Sequence, residues 1–230
     1  MVFVKGGGYV MSIVEILNKI DIFKGLTEDE IELISNIAKA RVFKKNTQIF
    51  SKGDENFAMY ILKEGSVDVF ILTESGKELI LSTLVVGDYF GELSLLDEAP
   101  ISTNITTTTN CSLITIHKSD FLQIIKRNPN MLLNIVSHLC SKIRMLTDKV
   151  EGFALLDVYN RFSLLLSDLS VVTDNGENVV NKTLTHKNIA LRIGSSREMV
   201  TRIMKDLENG GYISIENKVI TIMKKLPLAW

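Results

Sequence analysis

The stretch MLLNIVSHLCSKIRMLTDKVEGFALL, residues 131–156, carries apolar residues at alternating steps of four and three. The positions are Leu132, Val136, Leu139, Ile143, Leu146, Val150 and Phe153. This spacing, over about three heptads, is typical of a helix that lies along a second helix. The apolar stripe is also narrower than that of a helix packed on its own core. We predict a dimerisation helix; an amphipathic helix packed within its own domain is the alternative.

Length and composition predict two globular domains around this helix. The chain has 230 residues and a formal net charge of −1, and no apolar run approaches the roughly 20 residues that span a membrane. Cys111 and Cys140 lie far apart without CxxC spacing, which argues against a disulfide framework, a zinc site or an iron–sulfur cluster. We therefore expect a cytoplasmic protein with no membrane partner. Because the net charge is near zero, any nucleic-acid site must be a local basic surface.

The residues before the long helix predict two short helices and then a β-roll. Residues 12–22 have helical spacing, and Thr27 with Glu30 forms the capping box of a second helix. Short β-rich runs follow at 47–50, 58–62, 66–72, 79–84, 101–109 and 112–116. Ser75-Gly76-Lys77 is predicted as a hairpin tip, and residues 118–126 as a helix. Many short strands separated by glycine turns are typical of a roll or sandwich.

The residues after the long helix predict a winged helix-turn-helix. The predicted elements are a helix over 161–170, a loop over 174–178, helices over 184–193 and 195–204, and a β-hairpin of 212–215 and 219–222. Thr185 caps the first helix of the pair, and Gly194 turns the chain into the second. Two short helices around a glycine, with the small Ala190 where they would cross, are typical of a helix-turn-helix. The hairpin supplies the wing.

The predicted helix pair carries the local basic surface that the net charge conceals. Arg197, Glu198 and Arg202 fall in the first turns of the second helix, the part that enters the major groove in this motif. Arginine can bind guanine and glutamate can accept from cytosine, so we expect these three residues to read bases. Phosphate contacts are expected from Thr185, Lys187, Ser196 and Lys205. A Ser195–Glu198 capping box and a Glu198–Arg202 pair, which would only stabilise the helix, are the alternative.

The motifs resemble those of the catabolite activator (CRP/FNR) family of bacterial regulators. The residues concerned are Gly53, Tyr60, Gly65, Val67, Val69, Gly76-Lys77-Glu78, the run from Gly87 to Leu93, Leu95-Leu96, and the Ser-Arg-Glu-x-x-x-Arg run from Ser196 to Arg202. The resemblance begins near Ser12 and implies an α+β fold. Its parts would be a flexible extension over 1–11, a double-stranded β-helix (cyclic-nucleotide-binding jelly roll) over 12–130, the dimerisation helix over 131–156, and a winged helix-turn-helix over 157–230. Asp157 would be the hinge.

The resemblance also implies an effector pocket. In the family, the segment matching Gly91, Glu92 and Leu93 binds a cyclic phosphate through backbone amides and a ribose through the glutamate; pairing of Glu92 with local amides is the alternative. Two further pairs match positions that contact the nucleotide in the family, namely Ser102 with Thr103 and Leu146 with Thr147. Ser102 stands where nucleotide-binding members have an arginine for the phosphate.

The missing arginine bears on the identity of the effector. No Lys or Arg occurs between Lys77 and Lys118, and a buried unpaired anion costs several kcal/mol. Hydroxyl groups would recover only part of what an arginine supplies. The sequence therefore argues against cyclic AMP without excluding it, and another small effector, or none, stays open.

The resemblance implies a homodimeric transcription regulator whose effector repositions two recognition helices. These would lie roughly 34 Å apart on a pseudo-palindrome with TGTGA-like half-sites, and RNA polymerase would be a further partner. One alternative is a cyclic-nucleotide-binding protein that controls a protein partner. The other, a metal-dependent roll enzyme, needs clustered ligands, whereas His117, His138 and His186 are scattered singly. We expect neither a catalytic nor a metal site.

Overall fold

The computed structural model describes residues 11–180, 184–217 and 219–227. Except for Met11, the predicted N-terminal extension lies outside the described residues. The chain divides into two units, one up to Ile71 together with Ser82–Lys142, and the other of Leu72–Leu81 together with the residues from Ile143 onward.

Capping residues define the first helices. Helix α1 (Ile13–Leu17) begins at a capping box of Ser12 and Glu15, and α2 (Glu28–Ile37) begins at the predicted box of Thr27 and Glu30. The prediction of one helix over 12–22 is wrong, because α1 ends at Leu17 and a separate 3-10 turn follows at Asp21–Phe23. The buried residues of this stretch are Ile16, Leu17, Ile20, Ile22 and Phe23. One straight helix cannot turn all five towards the same core, so the break lets each of them pack.

Two four-stranded antiparallel sheets form the β-roll. In chain order the strands are β1 (Lys39–Phe43), β2 (Gln48–Phe50), β3 (Ala58–Glu64), β4 (Val67–Leu72), β5 (Glu78–Leu84), β6 (Tyr89–Phe90), β7 (Asn104–Thr107) and β8 (Cys111–His117). One sheet has the order β1-β8-β3-β6 and the other β2-β7-β4-β5. All six predicted strand runs are present, although the run over 101–109 is shortened to β7. Strands β1 and β6 were not predicted, since β1 is largely exposed and β6 has only two residues.

The roll has a core on each face of the first sheet. Along β8, Leu113 joins a cluster with Phe50, Val67 and Ile105 of the second sheet. The neighbouring Ile114 and Ile116 join a second cluster, which is formed with the helices. Because successive side chains of a strand point to opposite faces, β8 is buried on both sides.

Three further helices begin in the first unit, one between strands of the roll and two after its last strand. They are α3 (Glu92–Asp97), α4 (Lys118–Arg127) and α5 (Pro129–Leu155). On α5, Met131 and Ile135 are 1% exposed and pack on the core of the first unit. The seam residues, which are the seven apolar heptad positions from Leu132 to Phe153, are exposed except for the half-buried Leu139. Most of the heptad face therefore stays exposed, while Met131, Ile135 and the half-buried Leu139 pack on the core of the first unit.

The second unit contains three further helices and a four-stranded sheet. They are α6 (Val158–Leu169), β9 (Ser170–Val172), β10 (Asn178–Val180), α7 (His186–Ile193), α8 (Arg197–Asn209), β11 (Ile213–Glu216) and β12 (Val219–Ile222), with sheet order β11-β12-β10-β9. The predicted wing hairpin is present. Helix α6 starts three residues earlier than predicted, because Asp157 Oδ1 accepts a hydrogen bond from Asn160 N at 2.8 Å. The predicted loop over 174–178 is the tip of an unpredicted hairpin, closed by a bond from Thr173 N to Glu177 O.

Candidate nucleic-acid interface and effector site

The helix-turn-helix is defined by two caps and one glycine. Thr185 Oγ1 accepts from Asn188 N at 3.1 Å and starts α7. Gly194 ends α7 in the left-handed region with φ +64°, which suits glycine. Ser196 Oγ accepts from Met199 N at 3.1 Å and starts α8. The predicted Ser195–Glu198 capping box is therefore wrong, since the cap is Ser196 and the third helical residue after it is Met199.

Helix α8 has one buried and one exposed face. Its buried face consists of Val200, Ile203, Met204 and Leu207, which pack in the core of the second unit. The three predicted base-reading residues, Arg197, Glu198 and Arg202, are all exposed. Arg202 also holds one guanidinium nitrogen, Nη2, 3.2 Å from Met199 Sδ. The face of α8 that carries these three residues is exposed, and base reading by them stays a prediction.

The predicted phosphate contacts lie around the same helix pair. Thr185, Lys187, Ser196 and Lys205 are exposed, and Thr185 and Ser196 use their side-chain oxygens as caps. Sequence reasoning missed a contact between the two helices, in which His186 Nδ1 lies 2.8 Å from Thr201 Oγ1. Nothing in the spacing of these two residues signals that they meet.

Arg161 is a second residue that sequence reasoning missed. Its Nε donates to Ile193 O at 2.9 Å and its Nη1 to Leu156 O at 2.7 Å, so one guanidinium joins the ends of α5 and α7. The same group lies 5.3 Å from the ring centroid of Phe153. A Cβ at Gly194 would lie 3.0 Å from Phe153 Cε1. Gly194 therefore serves both the turn and the close approach of that ring.

The predicted effector segment begins at a tightly held turn. Gly91 has φ +89°, and its carbonyl accepts from Asn56 Nδ2 at 2.9 Å. A Cβ at this position would lie 2.8 Å from Ala58 O, so the backbone approaches too closely for any other residue. Helix α3 follows at once, with Glu92 as its first residue.

Glu92 pairs with a cation from a distant part of the sequence. Its side chain is 2% exposed, and Lys142 Nζ of α5 lies 2.8 Å from Glu92 Oε1. The sequence prediction offered a ribose hydroxyl or local amides as the partner. It missed Lys142 because the two residues are 50 positions apart, and local spacing does not reveal such a contact.

Tyr89 lies beside the lysine of this ion pair, and His138 lies beside Tyr89. Lys142 Nζ lies 5.5 Å from the Tyr89 ring centroid, and the rings of Tyr89 and His138 lie 4.7 Å apart. Burial, followed by the charge of Glu92, raises the pKa of the Tyr89 hydroxyl far above its usual value. Burial and then the charge of Lys142 lower the pKa of His138. Within the described residues, Tyr89 Oη and His138 Nε2 are buried without a hydrogen-bond partner.

The remaining predicted pocket residues are more open. Leu93 and Ser102 are exposed, and Thr103 is half-buried just before β7. Leu146 and Thr147 belong to the second unit and are exposed, and Thr147 Oγ1 donates to Ile143 O at 3.0 Å. Their part in an effector pocket stays a prediction.

The described residues also bear on metal binding and on membrane insertion. Across residues 11–180, 184–217 and 219–227, no three His, Cys, Asp or Glu side chains are grouped as metal ligands would be. No helix in the part of the chain that the structure describes is both long enough and apolar enough to cross a membrane.

A β-roll joined to a winged helix-turn-helix defines the class of DNA-binding regulators with a sensor domain. Two family models match this chain, the Cyclic nucleotide-binding domain over residues 40–128 and the Crp-like helix-turn-helix domain over residues 160–227. The chain is 31% identical over 202 residues to the cAMP-activated global transcriptional regulator CRP of Salmonella typhimurium, covering 86% of this chain and 96% of that protein. It is 28% identical to the cAMP-activated regulator Vfr of Pseudomonas aeruginosa, covering 83% of this chain and 92% of Vfr.

Solved structures agree with this likeness. The regulator CLP of Xanthomonas campestris, described as c-di-GMP responsive, has a TM-score of 0.75 at 24% identity and covers 86% of this chain and 100% of CLP. The Thermus thermophilus catabolite activator protein has a TM-score of 0.54 at 26% identity, covering 88% of this chain and 93% of that one. The chain belongs to the CRP/FNR family of transcription regulators.

Proposed function

We propose that the protein reads DNA sequence through α8 as a homodimer in the cytoplasm. The observation that carries the proposal is the placement of Arg197, Glu198 and Arg202 on the exposed face of a helix whose other face is buried. Their side chains have the donors and acceptors that suit guanine and cytosine edges in the major groove. The targets would be pseudo-palindromes with TGTGA-like half-sites, and RNA polymerase would be a further partner.

The homodimer is supported by the exposed seam on α5. Ile143 and Val150 are 63% and 67% exposed, and they share the heptad pattern with Leu132, Val136 and Leu146. A line of exposed apolar residues at this spacing is stabilised by a second copy of the same helix. Two copies related by a two-fold axis would present two recognition helices to the two half-sites.

A small effector is proposed to bind the β-roll at Gly91, Glu92 and Leu93. The match to the Cyclic nucleotide-binding domain supports this position, and Lys142 is a cation beside it. An anionic ligand would gain Lys142 only at the expense of its pairing with the buried Glu92, which is energetically unfavourable. Cyclic AMP therefore stands beside other small molecules as a candidate. In this proposal the sensor is 12–130, the dimerisation helix 131–156 and the reader 157–230, with Asp157 as the hinge.

DNA reading is tested by selection from random duplexes followed by binding measurements. The purified full chain selects its preferred duplex with and without cyclic AMP, and affinities of Arg197→Ala and Arg202→Ala are then measured on it. Each variant should lose about 10- to 100-fold in affinity, since a bidentate base contact supplies about 1–3 kcal/mol of discrimination. Arg144→Ala, which removes the same charge from an exposed position of α5, is the matched control and should bind as wild type.

Unchanged affinity of the two arginine variants would contradict the proposal. If both arginine variants keep full specific affinity, α8 does not read bases, and the alternative of a protein partner gains support. A calorimetric titration with cyclic AMP tests the effector separately. Micromolar binding supports cyclic AMP, whereas no heat and no thermal shift at millimolar ligand exclude it and leave the DNA-reading proposal intact.

A further inference from the structure

We propose that the first unit carries a binding site for a small apolar α-amino acid, separate from the predicted effector segment. The site is a cavity of about 280 Å³ between α1 and the residues that follow it, the turn before β6, and His138 of α5. Pockets for drug-sized ligands measure about 300–1,000 Å³, so this cavity suits a smaller molecule. Among the described residues, Gly91, Glu92 and Leu93 do not line it.

Two buried polar atoms at this cavity have no hydrogen-bond partner in the part of the chain that the structure describes. They are Tyr89 Oη and His138 Nε2, and both residues line the cavity. Tyr89 is only 4% exposed. Buried polar groups in folded proteins are normally hydrogen-bonded, and an unpaired one costs free energy. A ligand that bonds to this hydroxyl and this imidazole removes that cost.

The protonation of the two groups suits the two ends of an amino acid. Burial raises the pKa of the Tyr89 hydroxyl far above its usual value, so the group keeps its proton and can donate it to a carboxylate. Burial lowers the pKa of His138, so its imidazole is neutral at pH 7. In the tautomer with the proton on Nδ1, the Nε2 atom can accept from an ammonium group.

Charged side chains of both signs line the same cavity. Lys19 is exposed and forms no ion pair within the described residues. Asp21 is neutralised by Lys24 at 2.8 Å, whereas Asp88 has no ion-pair partner among the residues that the structure describes. A zwitterion can place its carboxylate at Lys19 and its ammonium at Asp88, and hydrogen bonds between charged groups are the strong ones.

Apolar side chains form the rest of the wall. Ile16 and Ile20 are buried, Met11 is half-buried and Val86 is 43% exposed. An aliphatic side chain packs against them without leaving a polar group unpaired. Opposite charges, two unpaired polar atoms and an apolar wall together match an α-amino acid with an apolar side chain.

Most of the polar lining lies outside the two domains that the family models match. Lys19, Asp21 and His138 fall outside residues 40–128 and 160–227, whereas Asp88 and Tyr89 fall inside the first range. The site therefore depends on residues that neither family model includes.

The test titrates the purified full-length protein with valine, leucine and methionine, using calorimetry and thermal shift. At least one of the three should bind saturably at millimolar concentration or below. The tightest binder is then compared with its analogues that lack the ammonium or the carboxylate, which for leucine are isocaproate and isoamylamine. Each analogue should bind at least about tenfold more weakly, because it loses a hydrogen bond between charged groups.

Asp88→Asn places the ammonium of the ligand. It should weaken binding of the amino acid by about tenfold. Asp54→Asn is the matched control, because both aspartates close a turn in the same way. Asp88 Oδ2 accepts from Val85 N and Asp54 Oδ2 accepts from Ser51 N, each at 2.8 Å. The control should bind as wild type.

Lys19→Met and Tyr89→Phe test the carboxylate end, and each should also weaken binding by about tenfold. Lys52→Met, which removes an exposed lysine that does not line the cavity, should bind as wild type. Tyr89→Phe removes a buried unpaired hydroxyl and should not destabilise the ligand-free protein. Weaker binding by a variant of undiminished stability shows that the hydroxyl contacts the ligand.

Three results would each overturn the amino-acid site. The first is that none of the three amino acids binds at millimolar concentration. The second is that the analogues bind as tightly as the parent amino acid, and the third is that the variants of Tyr89, Lys19 and Asp88 all bind as wild type. Every one of these results leaves the proposed DNA reading intact, because the described residues of the cavity all belong to the first unit.

Discussion

Lys142 Nζ lies 2.8 Å from Oε1 of Glu92, and the carboxylate is almost completely buried while the lysine side chain is 30% exposed. The acidic residue of the proposed effector segment is therefore neutralised within its own unit. The two residues should therefore differ in what their removal costs in stability. Without Lys142 the buried carboxylate of Glu92 has no partner, whereas without Glu92 the charge of Lys142 is still in contact with water.

We expect Lys142→Met to lower the free energy of unfolding by about 3 kcal/mol, which is at the low end for breaking a buried ion pair because Lys142 keeps contact with water. Glu92→Gln leaves a lysine that water can solvate, and should cost about 1 kcal/mol. The double variant Lys142→Met/Glu92→Leu should recover most of the loss of the single lysine variant, since no unpaired charge remains. Urea unfolding at pH 7 measures all three, and equal losses in the two single variants would contradict the asymmetry.

A second prediction concerns the hydroxyl of Tyr89, which is 4% exposed. Within the described residues this hydroxyl has no hydrogen-bond partner. Tyr89→Phe should therefore raise the free energy of unfolding by about 1 kcal/mol, because a buried unpaired polar group is removed and the ring is kept. Tyr159→Phe is the control, since the hydroxyl of Tyr159 donates to Pro227 O at 2.9 Å and its loss should destabilise by about 1 kcal/mol. Destabilisation by Tyr89→Phe in thermal or urea unfolding would refute the prediction.

The lowered pKa of His138 leads us to expect that the free energy of unfolding depends on pH. Burial, and secondarily the charge of Lys142, lower its pKa in the folded protein, while Glu92, Asp88 and Asp21 act in the opposite direction. The unfolded chain then takes up a proton at about pH 6.5, where the folded chain does not. The free energy of unfolding should consequently fall as the pH decreases below about 6.5.

His138→Gln should flatten this part of the pH dependence. His117→Asn is the matched control, because His117 is exposed and caps α4 with its side chain, a role that asparagine can take over. Urea unfolding of wild type and both variants between about pH 7 and 5 measures the slopes. An unchanged slope in His138→Gln would show that other groups carry the proton uptake.

The sequence predicted those parts of the molecule that depend on neighbouring residues. The capping box at Thr27 and Glu30, the glycine turn at Gly194 and the heptad spacing of α5 are all local, and each is present in the structure. Local signals of this kind were sufficient to locate the second helix of the helix-turn-helix. Its cap was misplaced by one residue because Ser195 and Ser196 are equivalent by composition.

The parts that could not be predicted depend on residues that are far apart in the chain. The partner of Glu92 comes from α5, and Arg161 joins the ends of two other helices. The contact of His186 with Thr201 likewise crosses from one helix to another. Local periodicity cannot reveal which side chains of different elements meet, because that depends on packing.

Gly91 gives a prediction about backbone geometry, with a matched control in Gly87. Both have positive φ, +89° and +93°, but a Cβ at Gly91 would lie 2.8 Å from Ala58 O and one at Gly87 meets nothing within 4 Å. Gly87→Ala should therefore cost only the conformational term, about 1 kcal/mol, whereas Gly91→Ala adds a steric clash and should cost about 3 kcal/mol. Urea unfolding compares the two, and equal costs would mean that the backbone around Asn56 and Ala58 moves freely to accept the methyl.

The exposed seam on α5 gives the last prediction, which separates dimer formation from folding. Ile143 is 63% exposed in the single chain, so Ile143→Glu should leave the stability of the monomer within about 0.5 kcal/mol of wild type. In a homodimer, however, the substitution brings two carboxylates into an apolar interface, and we expect the dissociation constant to rise about a hundredfold or more. Leu155→Glu is the matched control, because Leu155 is 75% exposed on the same helix but lies outside the 4-3 spacing. Light scattering over a range of concentrations measures the assembly. If Ile143→Glu dimerises as wild type while Leu155→Glu does not, another face of α5 forms the contact, and if neither variant changes the assembly the dimer does not use this helix.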